Sequence, residues 1–272
     1  MIKLLAVDMD GTCLNKRSRM TDRTLDALKK TADAGILVVP ATGRNLGCLP
    51  WRIVEEKGLY RYVISSNGAQ VTDCATGEAM FQTMMKKETA LKLLEDCRKI
   101  RVGITSHINH QYLVQGGLLA LMGRLIFGKD AKAVYRVHSM EETVRKTRHG
   151  IEELQFYFLT PDSRRMIREV LNRYPDLMSA YTSIYVEVFS RGTSKGTALL
   201  ALRESLGISK EETACIGDGE NDLPMFAESG LTFAMGNSVP ELKKAADFVV
   251  PDNNSDGAAA AIERYLLKLK EK

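Results

Sequence analysis

Two carboxylates separated by one residue, Asp8 and Asp10, close the apolar run Ile2-Lys3-Leu4-Leu5-Ala6-Val7 and are followed by Gly11-Thr12. The run has the length of a strand, and the glycine lets the chain turn directly after the acids. Acidic groups at the end of a buried strand cost free energy unless a cation pairs with them. Open α/β sheets bind ligands outside the carboxyl ends of their strands. A divalent metal with an anionic substrate at the tip of the first strand is therefore the economical reading of this stretch.

The flanking sequence supplies the elements that would position these acids. Thr21 is placed to cap a helix running through Leu25, Leu28 and Ala32. Ile36-Leu37-Val38-Val39 forms a second strand, leading into Pro40-Ala41-Thr42-Gly43-Arg44. A helix is predicted from about Asn45 to Lys57-Gly58. A third strand follows at Tyr62-Val63-Ile64-Ser65, then a turn at Ser66-Asn67-Gly68 and a hairpin around Thr76-Gly77. Alternating strands and helices predict a doubly wound parallel sheet. Residues 83–189 depart from that pattern into mixed helices and hairpins. The parallel pattern resumes with a helix near Ser194-Lys195-Gly196 and a strand at Thr213-Ala214-Cys215-Ile216, which ends on Gly217-Asp218-Gly219-Glu220-Asn221-Asp222. The expected division is a core built from 1–82 and 190–272 with an inserted α+β domain at 83–189.

Bulk properties narrow the function classes. A chain of 272 residues accommodates two domains, or one with a large insertion. Its 44% hydrophobic and 26% charged residues are ordinary for a globular protein. The net charge of +4 is spread out, and the densest basic stretch, Arg145-Lys146-Thr147-Arg148-His149, lacks interleaved aromatics. No nucleic-acid partner is expected from it, whereas mild basicity suits phosphate anions. Five cysteines without a C-x-x-C pair form no disulfide framework, which points to the reducing cytoplasm. The most apolar stretch, Leu118 to Phe127, is far below membrane-spanning length, so no membrane partner is expected. Leu118 to Met122 reads as core of the insertion or as a dimer contact, leaving monomer and homodimer both open. His107 and His110 flank a predicted hairpin turn; ordinary polar surface is expected there, ahead of substrate contact or a metal pair.

Four segments occur in a fixed order: Asp8-Met9-Asp10-Gly11-Thr12, Ala41-Thr42-Gly43-Arg44, Ser194-Lys195-Gly196 and Gly217-Asp218-Gly219-Glu220-Asn221-Asp222. On these motifs the chain resembles the haloacid dehalogenase (HAD) superfamily of phosphotransferases. Within it, the chain is similar to the Cof-type sugar-phosphatase branch, whose large α+β cap lies between the second and third core motifs. The resemblance covers essentially the whole chain. It implies an α/β fold with a doubly wound, parallel-sheet, Rossmann-like core and an inserted α+β cap domain. It also implies a Mg²⁺-dependent phosphatase acting on small phosphorylated metabolites, either sugar phosphates or phosphorylated cofactors, through an aspartyl-phosphate.

The residue types suit those roles. Asp8 is ionised without help from a base and can attack phosphorus. Asp10 would protonate the leaving alkoxide and then deprotonate the attacking water. Mg²⁺ takes oxygen ligands, here Asp8 and Asp218 with, as the family implies, the Asp10 main-chain carbonyl. Asp222 matches the second acid of that metal motif, placed to orient waters or Lys195. The Thr42 hydroxyl and the Gly43 N–H near a helix start would favour phosphate, and Lys195 adds a compact positive charge. The similarity further implies that the backbone amides of Met9 and Asp10 bind the transferring group and that Asn221 holds the phosphate or its network. Asn67-Gly68 resembles a Cof-type loop near the substrate, with a plain turn as the favoured alternative. Taken singly, Thr42, Asn221 and Asp222 could be helix caps, and Lys195 a surface lysine. The rival functions are a sugar phosphomutase and a non-catalytic phosphometabolite sensor. Intact Asp8 and Asp10 count against the sensor.

Overall fold

A computed structural model describes residues 1–267, apart from the side chains of 126 and 127. The chain forms two compact units. Of the described residues, the first comprises 1–43, 50–82 and 194–267; the second comprises 44–49 and 83–193.

In the first unit, strand Leu4–Val7 lies between Thr213–Gly217 and Leu37–Pro40 in a five-stranded parallel sheet completed by Leu231–Ala234 and Phe248–Val249. Successive side chains of a strand point to opposite faces, and both faces of this sheet are covered. Leu5 and Val7 pack with Leu25 and Leu28 of helix Asp22–Asp33, while Leu4 and Ala6 pack with Leu199 and Leu202 of helix Lys195–Ser205. Burial on both sides explains why the strand reads as an unbroken apolar run. Thr21 caps the first helix by accepting the Thr24 N–H, and Ser194 caps the other by accepting that of Thr197.

The third predicted strand does not simply extend the parallel sheet. Tyr62–Ser65 joins an antiparallel three-stranded sheet with Gln70–Asp73 and Glu78–Gln82, and it meets the parallel sheet through a bridge from Ile64 to Ala41. The turn after it is strained: Ser66, Asn67 and Gly68 all have positive φ. A Cβ on Gly68 would strike the Ser194 carbonyl, so this glycine lets the turn approach the start of the Lys195 helix.

The helix expected from Asn45 to Gly58 is replaced by a single turn at Leu46–Cys48 and a short helix at Trp51–Glu55. Pro50 lacks an N–H and biases Leu49 toward extended backbone, and Leu49 has ψ of 151°. Residues 44–49 are also claimed by the second unit. The Arg44 guanidinium donates to Asp130 at 2.6 Å and to the Cys48 carbonyl at 3.2 Å, with both charged side chains only 7% exposed.

The second unit is built on a six-stranded sheet in the order Leu177–Tyr181, Tyr185–Ser190, Ile151–Phe158, Val102–Ile108, Gln111–Gln115, Val134–Val137. All neighbours are antiparallel except the last pair. One face packs Leu154, Phe156 and Val188 against Leu93, Val144 and Ile167 from three helices. On the other face Gln155 receives hydrogen bonds from Thr105 and Tyr112 and donates to Glu153. His107 belongs to this buried face and not to the polar surface, which corrects the expectation. Its Nδ1 lies 3.7 Å from Glu153, and burial pushes its pKa down to about 3. The 118–122 segment divides: Ala120 packs with Cys48, Tyr112 and Val134, whereas Leu118, Leu121 and Met122 are exposed. No helix is long and apolar enough to cross a membrane among the described residues.

Breaking a buried ion pair leaves the surviving charge uncompensated, at about 3 kcal/mol or more. Asp130→Ala is therefore expected to lower the unfolding free energy by roughly that amount in urea titration. A change within about 0.5 kcal/mol, as for an ordinary surface substitution, would show that the Arg44 pair contributes nothing.

Candidate active site

Asp8 extends the first strand by one residue, its N–H donating to the Ile216 carbonyl at 3.0 Å. Its carboxylate therefore stands at the carboxyl edge of the sheet, only 5% exposed. Lys195, the first residue of its helix, reaches the same place with its side chain completely buried. Its ammonium donates to Asp8 Oδ1 at 2.6 Å and to Asp222 Oδ1 at 2.7 Å. The other Asp222 oxygen accepts the N–H groups of Asp218 and Gly219 at 2.9 and 3.0 Å. Asp222 thus fastens Lys195 to the loop that carries Asp218.

Asp218 is half-buried beside them. Its Oδ1 accepts the Thr12 hydroxyl and its Oδ2 the Asn237 amide, each at 3.1 Å. One oxygen from each of Asp8, Asp218 and Asp222 lies within 4.8 Å of the others. Gly11, with φ of +87°, makes room for this arrangement, because a Cβ there would overlap the Asp218 carboxylate.

Three carboxylates around one ammonium leave a surplus of negative charge. Burial raises the Asp8 pKa well above the ordinary carboxylate value; Lys195 opposes the shift, while Asp222 and Asp218 reinforce it. Burial and then Asp222 push Asp218 up to about 6. Burial works against the Lys195 ammonium, yet the Asp222 and Asp8 carboxylates hold its pKa above the usual lysine value. Among the described residues, the buried Asp8 Oδ2 has no hydrogen-bond partner. Hard oxygen donors, excess negative charge and this unpartnered oxygen suit a divalent cation.

The remaining sequence candidates lie on neighbouring loops of the same unit. Met9 buries its side chain in the core, so only its backbone faces the site. Asp10 is exposed at the turn that follows. Thr42 is fully buried at the end of Leu37–Pro40; its N–H donates to the Ile64 carbonyl, and its own carbonyl accepts the Asn67 N–H. Gly43 does not stand at a helix start, contrary to expectation, because the chain turns into 44–49 instead. Any phosphate contact by its N–H would lack the support of a helix terminus. Asn67 is both a turn residue in the left-handed region and a link, accepting the Asn221 side-chain amide at 3.0 Å. The sequence reading missed Asn237, although its place just beyond the strand Leu231–Ala234 marks it as another residue at the carboxyl edge.

A misplacement of about 1 Å at a reacting centre costs roughly 10²-fold in rate. Gly11→Ala is expected to lower kcat/KM for phosphomonoester hydrolysis by about that factor, with the far-UV circular dichroism unchanged. Wild-type kinetics in a folded Gly11→Ala protein would contradict the packing described for Asp218.

Comparison with known proteins shows the family of the chain. The family described as haloacid dehalogenase-like hydrolase matches residues 5–262. A 5-amino-6-(5-phospho-D-ribitylamino)uracil phosphatase of Bacillus subtilis is 30% identical, the alignment covering 98% of this chain and 96% of that one. A phosphoglycolate phosphatase of Methanothermobacter thermautotrophicus is 26% identical over 97% and 99% of the two chains. A haloacid dehalogenase-like hydrolase structure from B. subtilis superposes with a TM-score of 0.83 at 26% identity, covering 97% of this chain and all of the other. With its parallel core, its separate second unit and a family match over nearly its whole length, this chain belongs to the haloacid dehalogenase-like hydrolases, in their Cof-type branch, and is a phosphatase.

Proposed function

We propose that the protein hydrolyses small phosphorylated metabolites in two displacements at Asp8, with Mg²⁺ as its cofactor. The observation that carries this reading is the state of the Asp8 carboxylate. One oxygen is held by Lys195, the other is buried without a hydrogen-bond partner among the described residues, and Asp218 stands alongside. A carboxylate fixed in this way is oriented for attack on phosphorus without activation by a base.

In the first displacement an Asp8 oxygen forms the new bond to phosphorus while the bond to the leaving oxygen breaks. Asp10 gives that oxygen its proton. In the second, water attacks the phosphorus, Asp10 takes the water's proton, and the Asp8–phosphorus bond breaks to release inorganic phosphate. Lys195, the Thr42 hydroxyl and the backbone N–H groups of Met9, Asp10 and Gly43 hold the equatorial oxygens, where charge stabilisation is the protein's main contribution. Asn221 and Asn67 brace the loops that carry these groups. Asp8, Asp218 and the Asp10 carbonyl would hold Mg²⁺, with Asp222 securing Lys195 and the Asp218 loop behind them. When bound, the cation supplies charge neutralisation between an anionic nucleophile and an anionic substrate.

What the relatives share supports this substrate class. One acts on a phosphorylated ribitylaminouracil and another on phosphoglycolate, which have little in common beyond a phosphate ester on a small molecule. Sugar phosphates and phosphorylated cofactors are the candidates. The second unit, 83–193 with 44–49, is the element we assign to reading the leaving group. Five unpaired cysteines fit a reducing, cytoplasmic setting.

Release of inorganic phosphate from a panel of metabolites tests the reading, since a mutase would return an isomer. Asp10→Asn is expected to lower kcat by roughly 10²–10⁴-fold, the usual worth of general acid–base catalysis, while phosphomonoester binding persists. Excess chelator is expected to abolish phosphate release and added Mg²⁺ to restore it. Undiminished turnover in chelator would refute the metal assignment.

A further inference from the structure

We infer that Asn237 is a positioning residue of the metal site, holding the Asp218 carboxylate in the orientation in which it takes a cation. The inference rests on the reading of Asp8 and Asp218 as metal ligands. Asn237 lies in the loop after Leu231–Ala234, and its amide nitrogen donates both to the Gly11 carbonyl at 2.9 Å and to Asp218 Oδ2 at 3.1 Å. Its amide oxygen accepts the Asn253 N–H at 2.9 Å. That bond fixes which end of the amide faces Asp218: a backbone N–H needs an acceptor opposite it, so the nitrogen must point at the carboxylate. Asn253 is held in turn, its side-chain amide donating to the Leu14 carbonyl at 2.8 Å.

The same loop also grips the backbone under Asp218. The Ser238 hydroxyl donates to the Gly217 carbonyl at 3.2 Å, and the Val239 N–H donates to the Asp218 carbonyl at 3.1 Å. Thr12 occupies Oδ1 of the carboxylate and Asn237 occupies Oδ2. Rotation of the carboxylate would break one of these bonds, yet each oxygen keeps a lone pair for a cation. Groups that orient a metal ligand in this way are worth about 10–100-fold in metal affinity. Asn237 is itself solvent-exposed, so truncating its side chain leaves the buried core untouched.

The test is Mn²⁺ binding followed by electron paramagnetic resonance for the wild type, Asn237→Ala and Asp218→Asn. In Asn237→Ala the Mn²⁺ dissociation constant is expected to rise about tenfold. The Mg²⁺ concentration for half-maximal phosphate release should rise in parallel, and kcat at saturating Mg²⁺ should fall by less than the affinity does. The unfolding midpoint of the metal-free protein should stay at the wild-type value, which a purely structural role would not allow. If Asn237→Ala binds Mn²⁺ as tightly as the wild type while Asp218→Asn does not, the inference is overturned and the metal reading stands. If the wild type binds Mn²⁺ no better than Asp218→Asn, the metal reading falls and the inference with it.

Discussion

An ammonium held between two buried carboxylates is the interaction around which this molecule is arranged. Lys195 lies 2.6 Å from Asp8 and 2.7 Å from Asp222, with essentially no solvent reaching any of the three groups. Burying an unpaired ion costs several kcal/mol even after relaxation, so the Lys195 ammonium depends on these carboxylates. One ammonium between two carboxylates already leaves the cluster short of positive charge, and Asp218 adds a third carboxylate nearby. A centre left with that deficit suits a cation.

The fold is the means of bringing these charges together from distant parts of the chain. Asp8 ends one strand, Asp218 follows its neighbour in the sheet, and Thr42 follows the strand on the other side. Lys195 arrives on a helix that packs against the same sheet. Close approach between the loops depends on absent side chains. Gly11 makes way for the Asp218 carboxylate, and Gly68 makes way for the backbone at Ser194. Asn67 and Asn221 then bind two of the loops to each other through a hydrogen bond.

What could be read from the sequence was mostly what is locally determined. The strand Leu4–Val7 announced itself because both of its faces are buried, and Thr21 because a cap bonds to an amide three residues on. The acidic motifs stood out because carboxylates beside apolar runs require a chemical reason. Residues 44–49 could not be read in the same way. Their conformation is set by Asp130, 86 positions away from Arg44, and by a proline that ends the expected helix before it forms. His107 looked like a turn residue because its partners on the sheet, Tyr112 and Glu153, are fixed only by strand register. Asn237 carries no charge, and its importance comes from pointing at a carboxylate that sequence alone places elsewhere.

The central claim is that Asp8 is the group that takes the phosphoryl group, with a cation shared between Asp8 and Asp218. The most direct measurement is a crystal structure of the protein grown with Mg²⁺ and beryllium fluoride, which mimics a phosphoryl group on a carboxylate. The expected result is the fluoride complex bonded to an Asp8 oxygen, with the metal ion in contact with Asp8 and Asp218. A fluoride complex on any other side chain, or a metal ion that leaves Asp218 untouched, would contradict the account.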